Sequence, residues 1–403
     1  MRERSFGTPA RSPRTKLLAR LALVLVLLGA GGVITWFVVA RSQASVHAAP
    51  TPALSIVSTT VPGYSPWGLT QDHAGHIWVA EPECSPNDIS ARPFCSQTLR
   101  GSLIEYASSG FHANAQPLRV AAEPPGYSSP FFVVADASDN LWFTEPVTNA
   151  LGELDHLGHW NQWTVSTPRA NPFDLALDRA GHLWFTEPGI SAVGEFNPIT
   201  HRFLSFPTPT AQGMPYGITG PDPISGSLWF TENNSRVHRI GRFTPGENGI
   251  NGRIHEYLAP ATNNNTPHMI TFDQRGNIWW SEGWAGKLGR LVIRRAVDNT
   301  SAGVSEYSVP TPPCPAHSNC GVHISGIAAA SNGTIWFDDS LSARVGSYTP
   351  GAGFAFYTLD DSLTSNAHPH DGLIVDRAGN AWVNAVYTNQ LFEFAPRAAR
   401  TTA

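Results

Sequence analysis

One five-residue pattern recurs along the chain: an aliphatic residue, Trp, a second bulky residue, a small residue and a carboxylate. It reads Ile77-Trp78-Val79-Ala80-Glu81, Leu141-Trp142-Phe143-Thr144-Glu145, Leu183-Trp184-Phe185-Thr186-Glu187, Leu228-Trp229-Phe230-Thr231-Glu232 and Ile278-Trp279-Trp280-Ser281-Glu282. Two looser copies are Ile335-Trp336-Phe337-Asp338-Asp339 and Ala381-Trp382-Val383-Asn384-Ala385. Before each copy lies an apolar run, as in Pro172-Phe173-Asp174-Leu175-Ala176-Leu177, followed by a Gly-containing turn. After it come a third run, such as Ala192-Val193-Gly194-Glu195-Phe196, and a fourth, such as Ile254-His255-Glu256-Tyr257. Short runs rich in β-branched and aromatic residues between turn signals predict strands. No comparable stretch after residue 50 has a helical period.

The copies recur at intervals of roughly 45 residues, the spacing of four-stranded propeller blades. A four-stranded sheet cannot bury both its faces, whereas seven stacked radially do so and leave only short edges. The expected fold is therefore all-β: a seven-bladed β-propeller of four-stranded blades, preceded by one transmembrane helix. The repeated Trp reads as packing between blades. The last repeat stops after its third strand, Gln390-Leu391-Phe392-Glu393-Phe394. An orphan run near the start, Ala53 to Thr59, is the candidate to complete it, so that the propeller spans 53–396 and its ring closes without a free edge.

Residues 1–20 form a basic tail and residues 21–40 carry no charge. That is long enough to cross a hydrocarbon core, and the basic flank places the rest outside the cytoplasm. An uncleaved signal-anchor with a stalk over 41–52 is expected. Cleavage near Ala48, releasing a secreted form, is the alternative. The full chain has 26 basic and 31 acidic residues; residues 1–41 hold seven and one of these, leaving 19 and 30, a net charge of −11. No basic stripe for nucleic acid remains. In an exported protein, the four cysteines read as two loop-pinning disulfides, Cys84–Cys95 and Cys314–Cys320.

The repeats also separate scaffold from site. The carboxylate closing the Trp strand recurs in six copies and reads as scaffold; a carboxylate ring holding a cation is the alternative, with Glu282 its first member. The start of the opening strand varies more. Trp67, Phe131, Phe173 and Tyr216 give way to His268, then His323, then His368 and His370. Inner strands of a propeller begin on one face beside the axis, so these histidines are expected to converge there. Convergent imidazoles can ligate a metal or move protons; the plain alternative is a polar channel with satisfied histidines. Trp67, Tyr216 and the extra aromatic Trp284 are candidates for a ligand-binding wall.

Pro215-Tyr216-Gly217-Ile218, the Leu-Trp-Phe-Thr-Glu copies, Lys287-Leu288-Gly289-Arg290-Leu291 and Ile254-His255-Glu256-Tyr257 together resemble the virginiamycin B lyase (streptogramin lyase) family over roughly residues 55–396. The resemblance implies a carbon–oxygen lyase that opens a cyclic ester by elimination, with Mg²⁺, a general base and a histidine near the axis. It places the family histidine at His370, with His268 or His323 as the one from an earlier blade. The first metal-binding carboxylate position carries His368 and the second carries Asn384. Two functions are expected from these readings: a metal-assisted lyase acting on a cyclic ester or lactone, or a surface-displayed, non-enzymatic propeller that binds a glycan, peptide or cell-wall ligand; the partner is a small molecule, peptide or glycan. A monomer is expected in either case.

Overall fold

The structure is a computed structural model and describes residues 54–84, 95–96, 98–244, 252–260, 266–313, 321–359 and 367–396. Among the described residues, 28 strands form seven sheets of four antiparallel strands each. In six blades the strands follow one another in chain order. In the seventh, Leu373–Val375, Ala381–Ala385 and Gln390–Pro396 are joined by Leu54–Thr60, which runs antiparallel to the last strand with Leu54 opposite Pro396 and Thr60 opposite Gln390. Each innermost strand packs on its two neighbours, and the one at Leu69–Gln71 touches that at Leu373–Val375, so the ring is closed.

The Trp strand is buried along its whole length in every blade, because it lies between strands within its sheet and between sheets in the ring. Its Trp has a polar partner within the blade. In six blades the indole N–H donates to an Asp at the end of the preceding strand: Asp72, Asp136, Asp178, Asp222, Asp273 and Asp376, at 2.9–3.0 Å. The same carboxylates cap the intervening turn, as where Asp178 Oδ1 accepts the N–H groups of Ala180 and His182. The sixth blade has Ala330 at the corresponding position.

The residue after Trp faces one residue of the third strand, and the bulk of the two is complementary. Phe143, Phe185, Phe230, Trp280 and Phe337 lie opposite Gly152, Gly194, Gly241, Gly289 and Gly346. A Cβ on any of these glycines would fall inside the facing ring. Where the second-strand residue is Val, at 79 and 383, the partner is Ile104 or Phe392. Such exchange of bulk across a pair keeps the core filled.

The residue before the terminal carboxylate ties one blade to the next. Thr144 Oγ1 donates to Phe173 O at 2.5 Å and Thr186 Oγ1 to Tyr216 O at 2.7 Å. Thr231 donates to His268 O and Ser281 to Ser325 O. These latches hold the starts of the inner strands side by side around the axis.

A Cys84–Cys95 disulfide is present; Cys314 and Cys320 lie outside the described residues. Residues 21–40, the expected membrane anchor, also lie outside them, and no helix among the described residues is long and apolar enough to cross a membrane.

Candidate functional site: a seven-ring axial circle

The latches bring seven aromatic or imidazole rings into a closed circle, one from each blade. Successive centroids are 5.9 Å apart from Trp67 to Phe131, 6.4 Å to Phe173, 4.4 Å to Tyr216 and 5.5 Å to His268. The spacing is then 5.1 Å to His323, 5.7 Å to His370 and 5.4 Å back to Trp67. Four neighbouring blades supply the aromatic arc and three supply imidazoles. His268, His323 and His370 are thus brought together across a chain separation that no local motif reveals.

A cavity of about 510 Å³ opens on this circle. Trp67, Tyr216, His268, Trp284, His323, His368 and His370 all line it, joined by Asn233, Ser340, Leu341, Val386 and Tyr387. Trp284, 60% exposed, meets His323 edge-on at 4.6 Å and forms part of the mouth. His368 is sandwiched, stacking on Tyr387 at 4.4 Å and on His370 at 5.5 Å.

Each buried histidine is oriented through Nδ1. His268 Nδ1 lies 2.6 Å from Thr266 O. A carbonyl only accepts, so Nδ1 carries the proton and neutral His268 has its lone pair on Nε2. His323 Nδ1 lies 3.0 Å from Ser340 Oγ, which in turn donates to His323 O; the hydroxyl therefore accepts from the ring, and the same tautomer follows. His370 Nδ1 lies 3.1 Å from Asp371 Oδ2, an ion-pair contact without hydrogen-bond geometry. Burial and the neighbouring histidines hold His323 down at about 2, and burial also lowers His268. Burial would lower His370 as well, but the charge of Asp371 outweighs it and raises its pKa. Burial likewise opposes ionisation of Asp371, yet His370, His268 and the Tyr216 hydroxyl hold its carboxyl down at about 2. The arrangement is one imidazole–carboxylate pair, in which Asp371 favours the protonated ring, flanked by two neutral imidazoles.

Two expected site residues sit elsewhere. Asn384 is fully buried, and its amide N–H groups donate to Pro66 O at 2.7 Å and to Trp67 O. It is the seventh blade's version of the latch, and it does not line the cavity. Glu282 is also buried away from the cavity; its Oε1 accepts the Trp280 indole N–H at 2.9 Å. Burial first, and then the charge of Glu306, push it up to about 8. The terminal carboxylates of the other blades have varied partners too: Glu145 accepts from Ser128 N and Gln162, Glu187 from Ser205, and Asp339 pairs with Arg344.

Among the described residues, no carboxylate lines the cavity. Mg²⁺ takes oxygen ligands in near-octahedral geometry, so this nitrogen-rich wall does not fit it. Among the described residues, the group of three potential ligands whose atoms come within 4.8 Å of one another is Asp72, His76 and Glu105. There Asp72 already accepts from His76 N and the Trp78 indole, which makes the group part of a turn.

Asp371 was not singled out by the sequence pattern. The available signal was its position: it precedes Gly372 as Trp67 precedes Gly68 and Tyr216 precedes Gly217, so it holds the ring position of its blade while His370 supplies the ring.

The model of the virginiamycin B lyase family matches residues 110–395. The chain belongs to this family. Among solved structures, a streptogramin B lyase is 23% identical, with a TM-score of 0.66, covering 86% of this chain and 99% of the other. A catalytically inactive histidine-to-alanine variant of virginiamycin B lyase from Staphylococcus aureus, solved with quinupristin, is 20% identical with the same TM-score, covering 85% and 99%. A chain solved with a bound D1 peptide is 14% identical, with a TM-score of 0.57, covering 88% and 100%. At these identities the likeness establishes the shared propeller fold. No curated protein sequence matches the chain.

Proposed function

We propose that this member of the virginiamycin B lyase family is a carbon–oxygen lyase that opens a cyclic ester or lactone in the axial cavity. The observation that carries this reading is His370 held against the buried Asp371 carboxylate, with two neutral imidazoles beside it on one cavity wall. The inactivity of the histidine-to-alanine variant of the S. aureus relative supports placing the essential proton exchange on a histidine.

In an elimination, a base takes a proton from the carbon next to a carbonyl. A C=C bond forms as the neighbouring C–O bond breaks, and the electron pair leaves on the ester oxygen. Neutral His268, its tautomer set by Thr266 O, presents the lone pair that takes the proton. The His370 imidazolium faces the departing oxygen and stabilises its developing charge in a site with low solvent access. Trp67 and Tyr216 supply an apolar wall against which a ring substrate rests. Because the donor set does not suit Mg²⁺, no step is assigned to a metal. With the disulfide and the expected anchor, the site would stand outside the cytoplasm.

The test is turnover by purified ectodomain on a panel of depsipeptides and lactones, read by mass spectrometry. Elimination leaves the mass of the ring unchanged while creating an alkene and a free carboxylate; hydrolysis adds water. Ring opening without added water, lost in His370→Ala, is expected. The absence of any turnover, together with tight binding of a panel member, would instead favour a ligand-binding propeller. One observation favours that second reading: the two family carboxylate positions hold His368, stacked on Tyr387, and Asn384, engaged with blade one.

A further inference from the structure

The Tyr216 hydroxyl donates to Asp371 Oδ2 at 2.6 Å, joining the fourth blade to the seventh. These two blades are three apart in a ring of seven, the greatest separation the ring allows. The same carboxylate oxygen lies 3.1 Å from His370 Nδ1. We propose that Tyr216 and Asp371 form a clamp across the axis that positions His370, with Tyr216 acting through Asp371 and not only as a cavity wall. The proposal rests on the lyase reading for its catalytic consequence, but the clamp itself is a structural claim.

Three observations support it. Asp371 is buried, and its Oδ1 has no hydrogen-bond partner. Its carboxylate is therefore held through Oδ2 alone, by a hydrogen bond from the tyrosine hydroxyl and an ion-pair contact with the imidazole, whose Nδ1 has no hydrogen-bond partner. A buried carboxylate with so few donors is sensitive to the loss of either. Next, Asp371 has φ of 59°, in the left-handed region where non-glycine residues are uncommon. Its backbone N–H donates to Ser325 Oγ at 3.1 Å, and Ser325 in turn donates to Asp338 at 2.9 Å. The neighbouring blade thus holds the backbone in the conformation that turns this carboxylate toward the axis. Finally, Tyr216 is the single ring of the aromatic arc that carries a hydroxyl. Phe131 and Phe173 in the two preceding blades have none, so the hydroxyl is not a requirement of the repeat.

Without the tyrosine hydroxyl, Asp371 keeps one partner and can swing toward other donors. His370 then loses the carboxylate charge that its ring packs against, and the ring is free to turn. Positioning of a catalytic imidazole by a carboxylate is sensitive to such changes, because the wrong ring orientation presents the wrong nitrogen.

The experiment is ¹⁵N-histidine NMR of the native ectodomain and of Tyr216→Phe, with His370→Gln used to assign the His370 signals. In the native protein, a low-field proton resonance correlated with His370 Nδ1 is expected. In Tyr216→Phe it should shift or broaden, while that of His182, paired with Glu195 at 2.6 Å in a turn of the third blade, stays in place. Asp371→Asn should abolish it; if that variant does not fold, Tyr216→Phe carries the test alone. A His370 resonance that is absent in the native protein, or unchanged in Tyr216→Phe, overturns the clamp. On any substrate that is turned over, Tyr216→Phe should lower kcat roughly tenfold with KM nearly unchanged; a rise in KM with kcat unchanged would make Tyr216 only a wall. If nothing is turned over, the lyase reading fails while the NMR result still decides the clamp.

Discussion

At the level of single residues, the repeated positions divide by the job of the hydrogen bond each makes. Asn384 illustrates this. Against the pattern Thr144, Thr186, Thr231 and Ser281, an amide at that position reads as a departure recruited for a site. In the fold it does the work of those hydroxyls, donating to the carbonyls of the next blade. A donor is what the position needs, and three side-chain chemistries satisfy it. Asn384→Ala should therefore lower stability by about 1–3 kcal/mol, the cost of leaving buried carbonyls without their donor, and leave ligand affinity in the cavity almost unchanged. Urea titration and a binding isotherm on the same sample separate the two effects. His268 was legible because it breaks an aromatic series at one register position, and His323 and His370 because they lie just before that position in their own blades. Asp371 was not, since its importance lies in a contact to Tyr216 that sequence distance hides.

At the level of strands and blades, the complementary bulk of the second and third strands makes a sharper prediction than burial alone. Gly289 faces Trp280, and a Cβ there would meet the indole. Gly289→Ala should cost about 1–3 kcal/mol through overpacking. Shrinking the partner at the same time, as in Gly289→Ala with Trp280→Val, should recover part of that loss, because Val79 opposite Ile104 shows that a small second-strand residue tolerates a large third-strand one. A double-mutant cycle measured by denaturation checks it, and simple additivity would count against shared volume. The blade order and strand number were legible in the sequence, since period, turn glycines and Trp recur together. The Asp that accepts the indole N–H in six blades was visible only as a turn residue, because a hydrogen bond six or seven residues away leaves no hydrophobic signature. The strand at Leu54–Thr60 also belongs to this level. It closes the last blade through a full register with Gln390–Pro396, so a chain starting at residue 61 should expose that edge and self-associate, as light scattering would show.

Over the whole molecule, the buried carboxyls give the propeller an unusual dependence on pH. Burial, aided by neighbouring acids, pushes Glu81 up to about 9; burial and then the charge of Glu256 do the same for Glu232; burial raises Asp174 to about 8. These groups stay protonated in the fold at neutral pH, whereas in the unfolded chain they ionise above about 4.5 or 3.8. A folded-state pKa above the unfolded one means that the stability is fully present below the unfolded value. It is then lost progressively as pH rises through the folded value. Asp371 acts in the opposite sense: its stabilisation is present above 3.8 and lost as pH falls toward about 2. His323 and His268, whose pKa values are lowered in the fold, likewise weaken it as pH falls below about 6.5, so maximal stability lies between the unfolded carboxyl and imidazole values and Tm should fall from about pH 7 to pH 9. Glu232 offers the cleanest check, because neither of its oxygens has a hydrogen-bond partner. Glu232→Gln retains the shape of the protonated acid and cannot ionise. Its Tm should match the native protein at pH 5 and exceed it at pH 9. Scanning calorimetry of both proteins across that range decides the matter, since parallel curves would mean that Glu232 is already ionised in the fold, with the Arg239 charge offsetting its burial.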